Sequence, residues 1–136
     1  MATIAKEIDI AADAAQVWDA LRDVGALHTW LVPGFVRDTQ LEADPPTRVV
    51  TFGNGAVARE LIVTVDETQR RLVWSVVGGS FTHHNASAQV FDTGSGHCRF
   101  VWIADVLPDA VAPHVAAMME QAVQTIRRTQ ESQAAS

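Results

Sequence analysis

The sequence predicts an α+β domain: a curved, seven-stranded antiparallel sheet wrapped around one long C-terminal helix, with two short helices after the first strand. Three observations carry this. The apolar period is 2 at the start and 3.6 over two short segments, then 2 again over six consecutive segments, and it returns to 3.6 only after Pro108. Those six segments are separated by short turns, so sequence neighbours are expected to pair as antiparallel hairpins. Finally, 136 residues make one domain, residues 1–136, with no room for a second core.

Residues 4–10 alternate, with Ile4, Ile8 and Ile10 apolar and Lys6, Glu7 and Asp9 interrupting, as in a short strand. Asp13 is placed to cap the helix that follows, and Gln16 completes the capping-box spacing. Val17, Trp18, Leu21 and Val24 give that helix one apolar face, and Gly25 stops it. Ala26 to Leu31 reads as a second short helix, ended by Val32-Pro33-Gly34. Phe35 to Glu42 and Arg48 to Phe52 are strands around the turn Ala43-Asp44-Pro45-Pro46. Gly53-Asn54-Gly55 is a hairpin signal, because Asn-Gly suits the two positive φ angles of a type I′ turn. From Val57 to Val65, alternation puts Val57, Arg59, Leu61, Val63 and Val65 on one face, with Glu60 and Thr64 on the other. Leu72 to Val77, Thr82 to Phe91 and Cys98 to Val106 complete the sheet, separated by Gly78-Gly79 and by Asp92 to Gly96. Val111, Val115, Met118, Ala122, Val123 and Ile126 then stripe a helix from Asp109 to Arg128, and the polar tail 129–136 is expected to fray.

This order implies a cavity. Seven strands span about 34 Å at about 4.8 Å each, whereas one helix with its side chains is about 10–12 Å across. The sheet must curl to be covered, and a sheet curled around a single helix leaves an interior gap suited to a small molecule.

Composition narrows the function. With 10 Lys+Arg against 16 Asp+Glu the net charge is −6, and the basic residues are scattered, which argues against nucleic-acid binding. The single cysteine, Cys98, excludes an intrachain disulfide and a multi-thiolate zinc site; it fits a cytoplasmic protein. No apolar run is long enough to span a membrane, so stable membrane insertion is not expected. The absence of tyrosine removes any phenolic acid or base.

Residues Ile8 to Asp23, with their strand, small-residue turn and acidic-capped Val17-Trp18 helix, resemble the opening of the SRPBCC (START-like, helix-grip) superfamily. Val65-Asp66 with Arg70 to Trp74, and Gly96 to Trp102 leading into Asp105 to Pro108, are similar to its later strands and the approach to its last helix. The likeness covers nearly the whole chain and is strongest to the polyketide cyclase/dehydrase-like branch, which also includes the plant abscisic acid receptors. It implies the helix-grip fold and a hydrophobic ligand groove between sheet and long helix. Gly53-Asn54-Gly55 and Gly78-Gly79-Ser80 stand where the receptors carry gate and latch loops, but the receptors' own loop sequences are absent. Family activities range from cyclases and dehydratases to lipid carriers, receptors and co-chaperones, so the likeness implies the fold more than a single function.

Candidate residues follow from alternation and from the resemblance. Arg59, on one face with Leu61, is expected inside, where it can bind a ligand oxyanion or else reach solvent at the cavity mouth. Related cyclases resemble this in using a cavity arginine to polarise a carbonyl. Matching the sixth strand to the family turns His84 inward with Ala86, Ala88 and Val90; it is a candidate proton-transfer group or a structural histidine. Trp74 and Trp102 can line the cavity or fill it, Trp30 can lid it, and Met118 and Ala122 present the long helix to it. His28, His84 and His114 lack any ligand-like spacing, so neither a metal nor another cofactor is expected. Cys98 shares the Phe100 and Trp102 face and reads as an inert buried thiol.

The expected function is binding of a hydrophobic or aromatic small molecule, by a monomer or homodimer acting as carrier, sequestering protein or sensor. The alternative is a cyclase or dehydratase acting on an enolisable substrate, with Arg59 and His84 as the catalytic candidates. A third reading is a co-chaperone-like protein-interaction module.

Overall fold

The computed structural model describes residues 1–135. Seven antiparallel strands form one sheet in the order β1-β7-β6-β5-β4-β3-β2. They are β1 (Ala2–Ile10), β2 (Val36–Glu42), β3 (Thr47–Phe52), β4 (Val57–Asp66), β5 (Arg71–Val77), β6 (His83–Gly94) and β7 (His97–Leu107). Helix α1 is Ala14–Arg22; a single π-helical turn, Leu27–Leu31, takes the place of the second short helix. A 3-10 turn at Asp109–Val111 leads into the long helix α2, Ala112–Ala134, with Pro113 in its first turn, where a missing N–H is tolerated. The START-like, helix-grip architecture expected from the sequence is the one observed.

The buried stripe of α2, including Val115, Met119, Ala122, Val123 and Ile126, lies against the concave side of the sheet. Ile10, Leu72 and Phe100 belong to the same core and are almost fully buried. Each such side chain contributes about 1.5–3 kcal/mol by leaving water, and among the strands α2 packs chiefly along β1.

Four local expectations are corrected. Asp13 does not cap α1 with its side chain; its Oδ1 instead accepts the backbone N–H of Gly96 at 2.7 Å, tying the β6–β7 turn to the start of the helix. Gln16 correspondingly reaches across to α2, donating to the backbone oxygen and to Oε1 of Gln130 at 2.9 and 2.8 Å. The stretch after Arg128 is helical through Ala134 and does not fray: Gln130 is fully buried and donates to the Trp30 carbonyl at 2.7 Å, while Glu131 accepts the N–H of Ala11. Ser136, the last residue of that tail, lies outside the described residues. In the β3–β4 hairpin Gly55 takes a positive φ (89°) and Asn54 does not, so the turn is not type I′; Asn54 instead accepts the N–H of Ala56 through its side chain.

A β-bulge decides which face of β4 looks inward. Ile62 pairs with Trp74 but Thr64 with Val73, so Val63 is an inserted residue. Val65, opposite the buried Leu72, therefore shares a face with Ile62 and Glu60 and not with Leu61 and Arg59. The uninterrupted alternation of the sequence conceals this change of phase.

Candidate functional site

A cavity of about 760 Å³ lies between the concave face of the sheet and α2, within the range that holds drug-sized molecules. Its floor is the sheet, with Val50, Trp74, Ala88, Phe100 and Trp102. Its roof is α2, through Val115, Met118, Ala122 and Ile126. Leu27 and Leu31 of the π-helical turn close one side, and the loop Gly78 to Phe81 borders another. A smaller hollow of about 390 Å³ adjoins it, lined by Gly53, Asn54, Ala117 and Gln121. Both spaces share Phe35, Phe52, His114 and Met118. Phe35 and Phe52 meet edge to face with centroids 5.7 Å apart, forming a partition between them.

The charge inside the cavity belongs to Arg48, not Arg59. In the β3–β4 register Arg48 stands opposite Glu60, and its Nε donates to Glu60 Oε1 at 2.7 Å. The two side chains are only 3% and 9% exposed. The Arg48 guanidinium also lies 5.4 Å from the Trp74 ring centroid, a cation–π contact. Its Nη1 is buried without a hydrogen-bond partner, and so is Nε1 of Trp102. Both donors are shut off from water within the packed wall, so each carries the cost of an unmet hydrogen bond.

Arg59 borders the cavity mouth, but its guanidinium is half exposed and reaches across β3 to pair with Glu42 on the edge strand β2. That pair raises the Arg59 pKa through a hydrogen bond and through charge attraction. Leu61 has the same parity and lies outside the cavity lining, so the inner face expected for both residues is corrected: Ala58, Glu60 and Ile62 take it.

His84 does face inward. It is buried, its ring meets Phe81 edge to face at 5.0 Å, and its Nδ1 accepts the backbone N–H of Val76 at 3.0 Å. With Nδ1 committed as an acceptor, the neutral ring carries its proton on Nε2. Burial, aided by the neighbouring His83, pushes its pKa down to about 4, so it is neutral at pH 7. The β5–β6 ladder runs only as far as Trp74 and Ala86; beyond it, Ser75 Oγ donates to the His84 carbonyl and the imidazole takes the next backbone donor. Register places Arg48 opposite Glu60 and Glu60 opposite Val76, so Arg48, Glu60 and His84 form one polar row across β3 to β6.

Trp74, Trp102, Met118 and Ala122 line the cavity, and the two indoles lie 5.7 Å apart. Trp30 does not lid it: the indole turns away to donate to Asp23, and the lid positions belong to Leu27, Leu31 and Phe35. His28 bonds Thr39 and His114 is exposed at the mouth, so the three histidines do not converge; among the described residues no group of three His, Cys, Asp or Glu gathers. Cys98 is buried, and desolvation pushes its thiol up to about 11.

The family model described as polyketide cyclase/dehydrase and lipid transport matches residues 1–132. The chain belongs to that family. Solved structures share its fold. A Thermobifida fusca protein is 28% identical, with 96% of this chain and 91% of that one covered, at a TM-score of 0.75. A START superfamily protein from Mycobacterium smegmatis is 13% identical over 98% and 97% of the two chains, at 0.72. Norcoclaurine synthase from Thalictrum flavum, solved with dopamine and hydroxybenzaldehyde, is 22% identical over 90% and 84%, at 0.63. The last two likenesses are of fold alone. A search of curated proteins finds no match. No helix among the described residues is long and apolar enough to cross a membrane.

Proposed function

We propose that this family member binds a hydrophobic or aromatic small molecule in the cavity between sheet and α2, as a carrier, sequestering protein or sensor. The observation that carries the reading is a cavity of about 760 Å³ with a largely apolar lining and one cluster of polar groups, at Arg48, Glu60 and His84. The ligand contacts fall on Trp74, Trp102, Met118 and Ala122, with His84 and Arg48 at the polar end. Enzymatic cyclisation or dehydration is the second reading. It is favoured by one observation, the Glu60 carboxylate and the His84 imidazole lining the same cavity as Arg48.

Native mass spectrometry of the protein from its own host tests the first reading, with Met118→Trp to fill the cavity and Arg59→Ala as an outer-face control. A retained apolar molecule in the wild type and in Arg59→Ala, lost in Met118→Trp, is the expected result. Retention in Met118→Trp would move the site elsewhere. A wild type that carries nothing, and whose tryptophan fluorescence no aromatic compound saturably quenches, would overturn the reading. Chemical conversion of the retained molecule, slowed in His84→Gln, would favour the enzyme.

A further inference from the structure

Every ionisable group in the deep part of the cavity is already neutral or already paired. Arg48 has Glu60 as its counter-ion, and Arg59 has Glu42 outside. His84 gives its Nδ1 to a backbone N–H and is held uncharged by burial. His114 stands exposed at the mouth, where water solvates it. The deep part of the cavity therefore carries no net charge. A carboxylate moved there would lose its hydration and meet no uncompensated cation, and the Glu60 carboxylate would repel it.

The same lining offers a neutral donor. His84 lines the cavity, and with Nδ1 taken by the Val76 N–H the uncharged ring carries its proton on Nε2. From these two facts, and resting on the binding function proposed above, we infer that the ligand is uncharged and bears a carbonyl-type acceptor, and that Glu60 is the residue that excludes acids. Arg48 supplies no net charge, because Glu60 balances it. A neutral ketone, quinone or ester oxygen accepts from His84 Nε2–H and costs little to desolvate, whereas an ionised acid on the same skeleton costs far more.

A matched pair of fluorescent probes tests this: 2-acetylanthracene and anthracene-2-carboxylate, titrated at pH 7 into the wild type and into Glu60→Gln, with tryptophan quenching as the readout. The wild type is expected to bind the ketone at least about tenfold more tightly than the acid. Glu60→Gln leaves the Arg48 charge unbalanced, so the acid should gain at least about tenfold while the ketone changes little. The acid should also raise the melting temperature of that variant selectively. Wild-type binding of the acid as tight as the ketone overturns the inference alone, and needs no variant to fold. An unchanged preference in a folded Glu60→Gln removes the role of Glu60. Failure of both probes to bind the wild type overturns the binding reading and this inference with it.

Discussion

Replacing Arg48 by Met removes the cation of a pair whose side chains are only 3% and 9% exposed and whose N–O distance is 2.7 Å. The Met side chain keeps contact with Trp74 but leaves the Glu60 carboxylate buried without a counter-ion. Breaking a buried pair from one side costs about 3–5 kcal/mol. At this chain length each kcal/mol is worth about 3–4 °C, so the melting temperature should fall by about 10–20 °C. The double variant Arg48→Met/Glu60→Leu has no stranded charge, and it also removes the unpartnered Nη1, worth about 1–3 kcal/mol when left unsatisfied. It should fall within about 1 kcal/mol of the wild type or exceed it. Urea denaturation with unchanged m-values measures the wild type, Arg48→Met, Glu60→Leu and the double variant, and this cycle should give a coupling energy of at least about 3 kcal/mol. A cost below about 1 kcal/mol for Arg48→Met, as for an exposed pair, would refute the argument, as would strict additivity in the double variant.

His84 makes stability depend on pH. Its imidazole is pushed down to about 4, whereas the unfolded chain takes up that proton near pH 6.5, so its contribution is complete above about 6.5 and is lost as pH falls towards 4. His84→Gln should flatten the urea midpoint across that window while leaving the slope at higher pH unchanged. Gln130→Ala should cost about 1–3 kcal/mol in denaturation, because it strands the Trp30 carbonyl and leaves the Gln16 amide only the backbone oxygen of residue 130. Gly53→Ala would set a Cβ 2.3 Å from the Gly34 carbonyl oxygen, and neither backbone segment can yield cheaply. It should lower stability by about 1–3 kcal/mol and broaden the amide signals of the β3–β4 hairpin in nuclear magnetic resonance spectra.

Much of the fold was legible because each hairpin announces itself. Turn residues at Asn54-Gly55, Gly78-Gly79 and Gly94 to Gly96 separate runs of period 2, and the return to period 3.6 after Pro108 identifies α2. The polar row was less legible. A hairpin centred on Asn54 pairs Arg48 with Glu60, opposite charges facing across two strands, and that signal was present in the sequence. It was masked by a stronger pattern, the run Val57, Arg59, Leu61, Val63, Val65, which a bulge at Val63 divides between two faces. Bulges come from the sheet's need to curve, and alternation alone does not reveal them. Gln130 was hidden for another reason. A polar residue near a chain end resembles solvated tail, and only the fold shows that the Trp30 carbonyl and Gln16 sit opposite it.

The order of the strands has a consequence for how the chain assembles. Every neighbouring pair from β2 to β7 is consecutive in sequence, whereas β1 pairs with β7, Ile10 with Cys98 and Ala2 with Val106. The first strand of this domain to be synthesised thus has no partner until β7 has followed it. Local hairpins close quickly, while a closure of this length carries the larger entropy cost. Pulse-labelled hydrogen exchange should accordingly find the β4–β5 and β6–β7 amides protected before those linking β1 to β7. Until that last seam closes, the alternating isoleucines of β1 remain an unpaired edge, so synthesis speed and chaperone holding should govern yield more than the stability of the finished protein does.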